Sequence, residues 1–273
     1  MDVVVLFTCH NRENMTRKSV YSLDDSSLSM QYIAVNDGCT DGTAAMLDQF
    51  GKDKDRGITI LKGDGSLYWA GGMRKAMKYL RDKEVSADYV LLINDDVEFV
   101  DGALNYMLKE IKKHSKSCIV GATRDDNGKT TYGGIRYDMK RVKDTGIDVN
   151  DSNLKCDVAN MNAFLIPYDA FKKAGVFDKH YKHAMADYDY SFELRRQGYH
   201  IFMTGKYVGV CPQNSRRGTW QDTRLSRRER VKLKESPKGL PAKEWFYYLK
   251  KNFGIRQAIW HSITPYIRIA IRQ

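Results

Sequence analysis

The chain has 273 residues, 42% of them hydrophobic and 29% charged, with a formal net charge of +11. That is the balance of a soluble globular protein with enough chain for a full core, and no apolar run reaches the roughly 18 residues of a membrane span. The excess charge is localised: residues 212–273 hold 15 Lys and Arg against 4 Asp and Glu, leaving 30 against 30 in the first 211.

In chain order, Val3–Phe7 predicts a buried β-branched strand that ends in the polar cluster Thr8-Cys9-His10-Asn11-Arg12. A helix follows to about Leu23, and Tyr32–Val35 forms a second strand leading into Asn36-Asp37-Gly38. Asp41 is placed to cap a helix over Thr43–Phe50. Ile58–Leu61 is a short third strand, followed by a Gly-rich loop from Lys62 to Gly72 and a helix from Met73 to about Arg81. Val90–Ile93 is a fourth strand that delivers Asn94, Asp95 and Asp96 to its carboxyl end. Strands alternating with helices at this spacing imply a parallel sheet.

Beyond Asp96 the pattern loosens. Helices are expected at Ala103–His114, Tyr168–Lys173 and Tyr188–Gln197, the last two ended by Gly175 and Gly198. Strands are expected at Cys118–Ala122, Thr130–Tyr137, Ala163–Ile166, His200–Met203 and Tyr207–Val210, with a surface excursion from Lys140 to Lys155. The basic extension reads as helices over Thr223–Glu235, from Trp245, and over Ile255–Ile271, separated by a Pro- and Gly-containing break at Ser236–Pro241. The five scattered cysteines, odd in number and without CxxC spacing, argue against structural zinc or a disulfide framework and fit a reducing cytosol. The opening MDVVVLF enters a strand with no secretory-signal pattern.

The chemistry gathers at strand ends. His10, Asn11, Arg12, Asp37, Trp69, Arg74, Asn94, Asp95 and Asp96 are all expected at one edge of one sheet, where open α/β folds keep their ligands. Adjacent carboxylates repel unless a cation or proton relieves them, and hard oxygen ligands suit Mg2+ or Mn2+ with part of the shell supplied by a substrate's phosphates. Arg74 near a helix start is placed for an anion, and the set suits a nucleoside diphosphate with its cation. Taken alone, the Asp pair is more often a solvated turn after a strand, and Trp69 is either a core aromatic or a pocket wall beside glycines that let a ligand approach the backbone.

Val35-Asn36-Asp37-Gly38-Cys39-Thr40-Asp41-Gly42-Thr43 resembles the VDDGSxDGT signature of inverting family-two glycosyltransferases, departing at Asn36 and Cys39. Asn94-Asp95-Asp96 is similar to their DXD-type metal motif, with Asn94 in the first acidic position. Gly175-Val176-Phe177-Asp178, then Asp187-Tyr188-Asp189 and Gly198-Tyr199, resemble the family's later ED-x-D…GY segment, with Ala186 in place of Glu. The resemblance spans about residues 1–210. It implies a GT-A fold with residues 1–211 as the glycosyltransferase domain, 1–100 holding the nucleotide-sugar and 101–211 the acceptor, and a basic helical extension over 212–273.

Carried over residue by residue, the resemblance implies Asp37 on the base or ribose, with Thr8, His10, Asn11 and Arg12 near that pocket. Asp64, Trp69, Arg74 and Asn94 complete the donor-binding set, Asp95 contacts ribose or sugar, and Asp96 holds Mg2+ or Mn2+ on the diphosphate. Asp187 becomes the catalytic base, with a helix N-cap as its purely structural alternative and Asp189 as fallback. His180 and His183 read as polar surface, and Arg216-Arg217 as a supply of positive charge for the diphosphate. The donor is expected to be a UDP- or dTDP-sugar and the acceptor a glycan or a lipid-diphosphate-linked glycan. The tail's aromatic and Ile stripes beside Lys and Arg suit an anionic membrane surface on the cytoplasmic side, and a homodimer is left open. Two rival readings remain. Ala70-Gly71-Gly72-Met73-Arg74-Lys75 faintly resembles a nucleotidyltransferase loop, and a basic tail suits nucleic acid, although the acidic strand ends of a neutral core speak against a nucleic-acid partner.

Overall fold

Apolar side chains in β1 (Asp2–Cys9) alternate between two cores, Val4 and Leu6 entering one and Val3, Val5 and Phe7 the other, so the strand is covered on both faces. In the computed structural model, which describes residues 1–23, 28–53 and 57–271, α1 (Glu13–Ser22) returns the chain to β2 (Ser29–Asp37), and α2 (Thr43–Lys52) to β3 (Gly57–Gly63). Then α3 (Tyr68–Asp82) leads to β4 (Tyr89–Ile93). These four strands are parallel in the order β3-β2-β1-β4, so their carboxyl ends share one edge.

The short strand β5 (Glu98–Phe99), α4 (Ala103–Lys112) and β6 (Ser117–Arg124) follow. A small three-stranded sheet holds β7 (Gly134–Asp138), β8 (Lys143–Gly146) and β10 (Val158–Ala159), while β9 (Lys155–Cys156) pairs with the main sheet. Then β11 (Ala163–Pro167) inserts antiparallel between β4 and β6. After α5 (Tyr168–Ala174) and α6 (Ala186–Arg196), β12 (His200–Val210) lies parallel to β6 and antiparallel to β5. The mixed sheet expected from sequence is thus present. The two strands expected within 200–210 are one strand with register shifts at Tyr207, and the excursion over 140–155 contains β8.

The expected helix from Met73 begins five residues earlier, at Tyr68. Gly71 and Gly72 of the supposed loop are therefore buried helical residues, and Gly72 sits where a Cβ would lie 2.2 Å from Thr8 Oγ1 and 2.7 Å from Thr8 Cβ. Glycine here permits close approach of helix to strand rather than approach of a ligand, and the nucleotidyltransferase-like segment is part of α3. Asp41, expected to cap α2, stands one residue before its N-cap, Gly42; its carboxylate accepts from Glu13 N at the start of α1 and from Thr43 N at the start of α2, both at 3.1 Å.

The basic extension is helical, comprising α7 (Arg227–Lys234), α8 (Ala242–Phe253) and α9 (Ile255–Ile271); residues 272–273 lie outside the described residues. Ser226 opens α7 with a capping box to Glu229, so the helix starts later than the charge pattern suggests. Lys251 and Asn252 of α8 bind both oxygens of Asp189 at 2.7 and 2.9 Å, and Tyr247 reaches Asp178 at 2.8 Å. Lys234 is fully buried, its Nζ on Glu235 and 4.1 Å from the Tyr266 ring centre, while Glu235 also accepts from Tyr266 Oη and Ala242 N. The extension is welded to the domain. Its last helix leaves Ile259, Trp260, Ile263 and Ile267 exposed, Trp260 being 71% exposed.

Replacing Gly72 by Ala gains about 1 kcal/mol of helix propensity yet forces α3 off β1. A net loss of about 1–3 kcal/mol is expected, read as a lower melting temperature; an unchanged or higher one would show that the contact with Thr8 yields freely.

A candidate active site at the carboxyl edge of the sheet

A cavity of about 690 Å3 opens where β1, β2 and β4 end. Of the residues expected from sequence, Thr8, His10, Arg12, Asp37, Trp69, Asn94, Asp95 and Asp96 line it together. The parallel register explains this, because each strand delivers its C-terminal polar residues to the same edge. Residues flanking two later strands meet this edge: Asn162, just before β11, whose carbonyl accepts from Asn94 N at 3.0 Å, and Cys211, just after β12, whose thiol reaches Asp96.

The acidic corner is closely knit. Asp95 is buried and accepts from Arg12 Nη1 at 3.4 Å and Thr16 Oγ1 at 3.3 Å. Burial pushes its carboxyl up to about 6, against the pull of Arg12 and with help from the Asp96 charge. Asp96 accepts from Arg12 Nη1 at 3.0 Å and from the Cys211 thiol at 3.6 Å. Asn94, in the position where the motif has an acid, accepts instead from Trp69 Nε1 at 2.7 Å. Trp69 is thereby both a pocket wall and a packed aromatic, its ring 5.4 Å from that of Phe177.

Asp37 is 3% exposed, and its carboxylate accepts from Gly65 N at 2.9 Å and Leu67 N at 3.1 Å, holding the loop between β3 and α3. His10 Nδ1 donates to the Asp37 carbonyl at 2.6 Å and fixes the end of β2 from the other side.

Four expected site residues lie elsewhere. Asn11, at φ 51°, uses its carboxamide oxygen on Thr40 N at 2.7 Å. Asp64 is exposed and accepts from Ser66 N and Oγ, which hold its carboxyl below the usual range. Arg74 lies within α3 and donates to the carbonyls of Asp178 and Tyr181 at 3.1 and 2.9 Å. Two N–H groups of the first turn of α3, those of Ala70 and Gly71, are taken by the Lys182 carbonyl at 3.1 and 3.4 Å and are not open to an anion. Asp187, in the first turn of α6, is half-buried, accepts from Tyr188 N at 2.9 Å, and is pushed up to about 6 by burial. It does not cap: the N-cap residue is Met185, at φ 67°. Asp189, the fallback base, is committed to Lys251 and Asn252. Arg216 and Arg217 are exposed and do not border the cavity.

Sequence reasoning passed over the opposite wall. His183, read as polar surface, lines the cavity, and its Nδ1 is buried without a hydrogen-bond partner among the described residues. The ring is kept neutral, its pKa lowered to about 4 by burial and by the nearby Lys238 and Arg12 charges. Residues 218–220 and the turn Ser236–Gly239 complete the wall. Gly239 belongs there because a Cβ would stand 2.2 Å from the Leu233 carbonyl. The Ser236–Pro241 break, legible only as a helix stop, is therefore part of the site. Among the described residues no cluster of three or more His, Cys, Asp or Glu could hold a metal by itself.

A family model described as glycosyl transferase family 2 matches residues 4–181. Over 137 residues the chain is 26% identical to the poly-beta-1,6-N-acetyl-D-glucosamine synthase of Staphylococcus epidermidis, a match covering 48% of this chain and 31% of that protein's length. The fold is similar to that of the mannosyltransferase PcManGT from Pyrobaculum calidifontis, solved with GDP-Man and Mn2+, with a TM-score of 0.62 and 12% identity over 98% of this chain and 72% of that one. It is also similar to residues 1–349 of S. aureus TarS in complex with UDP-GlcNAc, with a TM-score of 0.58 and 13% identity over 98% of this chain and 81% of that fragment. The architecture is the GT-A fold of these glycosyltransferases.

Burial sets Asp187 against ionisation, so its folded-state pKa stands above the unfolded value of about 3.9. Its contribution to stability is full below that value and is lost as the pH rises through about 6. Asp187→Asn removes this loss, so the variant should gain more thermal stability over wild type at pH 7.5 than at pH 4.5. An equal or larger gain at the acidic pH would mean the carboxyl is not disfavoured by burial.

Proposed function

The chain belongs to glycosyl transferase family 2, and on that footing we propose that it transfers a sugar from a nucleoside-diphosphate donor to an acceptor hydroxyl, with a divalent cation at Asp96 and inversion at the anomeric carbon. The observation that carries this reading is the meeting of Arg12, Asp37, Trp69, Asn94, Asp95 and Asp96 on one cavity. A UDP- or dTDP-sugar is the favoured donor, with Asp37 and the β1 end at the nucleoside and Asp95 at the ribose or sugar.

The donor set fits Mg2+ or Mn2+. Asp96 offers a partly accessible carboxylate beside a second one, and an ion of this kind fills the rest of its shell with diphosphate oxygens and water. When bound, such an ion offsets charge on the departing diphosphate. Asp187 acts as the base: the acceptor oxygen forms its bond to the anomeric carbon as the bond to the diphosphate breaks, and Asp187 takes the hydroxyl proton. Its raised pKa supports this, since a base near 6 is ionised at neutral pH and still a better proton acceptor than an exposed carboxylate.

The acceptor is a glycan or a lipid-diphosphate-linked glycan of a surface polysaccharide, and the protein works peripherally on the cytoplasmic membrane face. Support comes from the outward Ile and Trp residues of α9 beside Arg256 and Arg268, in an extension carrying all the excess positive charge. Among the described residues no helix is long and apolar enough to cross a membrane.

Release of nucleoside diphosphate in a screen of sugar donors with Mg2+ or Mn2+ tests the reaction; release of pyrophosphate would instead indicate nucleotidyl transfer. Asp187→Asn should lower kcat by about a hundredfold to ten-thousandfold while leaving donor affinity nearly intact, and the wild-type rate should rise with pH through about 6. Normal turnover in that variant would remove Asp187 from the mechanism. For the extension, wild type should sediment with vesicles containing phosphatidylglycerol and not with phosphatidylcholine alone, and Ile259→Glu with Ile263→Glu should stay in the supernatant. Equal sedimentation of both proteins would exclude docking through α9, and dissociation of a dimer by the same pair would assign that face to a second copy.

A further inference from the structure

Arg12 ends the loop after β1 at the N-cap of α1, and its side chain is 43% exposed toward the cavity. One nitrogen, Nη1, serves both Asp95 and Asp96, and no other cation is paired with either carboxylate among the described residues. The remaining partners of the pair are neutral, the Thr16 hydroxyl and the Cys211 thiol. Arg12 therefore supplies the positive charge that lets two adjacent carboxylates coexist at this edge.

That position conflicts with a divalent cation. An ion on these carboxylates brings two positive charges to within a few ångströms of the guanidinium, where repulsion is strong in a partly buried corner. A diphosphate brings the opposite change, and a planar guanidinium is well suited to phosphate oxygens. The exposed half of the side chain leaves Arg12 room to swing from one partner to the other without disturbing α1.

We propose that Arg12 is a positioning residue that occupies the Asp95–Asp96 pair in the free protein and exchanges it for the donor's diphosphate when a divalent cation arrives. It rests on the reading of the site as a nucleoside-diphosphate site, and adds that cation and diphosphate bind as a coupled pair. The cation alone must displace Arg12 without offering it a new partner. The diphosphate alone finds Arg12 engaged.

The test measures Mn2+ binding by the electron paramagnetic resonance of the free ion, and UDP, GDP and dTDP binding by calorimetry with and without saturating Mn2+. Wild type, Arg12→Ala and Arg12→Lys are compared, with melting temperatures checking that each is folded. Arg12→Ala should bind Mn2+ alone about tenfold more tightly than wild type, and the preferred diphosphate in the presence of Mn2+ about tenfold more weakly, within the usual range of coupling energies. Arg12→Lys should lie between the two. Unchanged or weaker Mn2+ binding by Arg12→Ala, with wild type still binding a diphosphate, would overturn the exchange alone. Failure of wild type to bind any of the three diphosphates would overturn the reading of the site and the exchange with it.

Discussion

Five residues of β11 run antiparallel to β4, Ala163 opposite Ile93 and Pro167 opposite Tyr89, and this seam joins the two halves of the sheet. On one side of it stand four parallel strands with helices between them; on the other, β11 also pairs with β6, and β6 with β12. The direction of β11 brings its first residues to the edge where β4 ends, so that Asn162 secures the backbone of Asn94 and its amide reaches Cys211. The chain beyond β4 is thereby pinned as it leaves the sheet, and Asp95 and Asp96 are held facing the cavity rather than left on a solvated turn.

The strands that build this edge were legible because each is a short apolar run bounded by polar residues, and a parallel sheet makes such runs converge. The Asp pair, Asp37 and Arg12 could be placed at one edge on that ground alone. What could not be read were contacts that depend on distant partners. Arg74 is held by carbonyls at Asp178 and Tyr181, and Asp189 by Lys251 and Asn252, more than 60 residues away in sequence. The start of α3 was hidden for a different reason: Gly71 and Gly72 are poor helix formers, and only their packing, Gly72 against Thr8, makes glycine the right residue in a buried first turn. His183 carried no local signal, since its place in the cavity wall follows from the docking of the extension.

The charge boundary near residue 212 was real as composition but not as architecture. Residues 218–220 and 236–239 enclose the same space as the strand ends, and α8 supplies Lys251, whose ammonium pairs with both Asp178 and Asp189 beside the first turn of α6. The acids of the neutral domain and the bases of the extension are partners in one fold, and the surplus that remains is carried largely by exposed positions.

Lys234, Glu235 and Tyr266 give that arrangement a mechanical side. The ammonium lies under the ring of α9, the carboxylate ties the ring's hydroxyl to the first turn of α8, and the Ser236–Gly239 turn that rims the cavity begins at the next residue. A buried charge holds its place only while its partners do. The last helix thus works as a keystone for the rim of the cavity: shortening the chain there would loosen that rim while leaving every strand of the sheet intact.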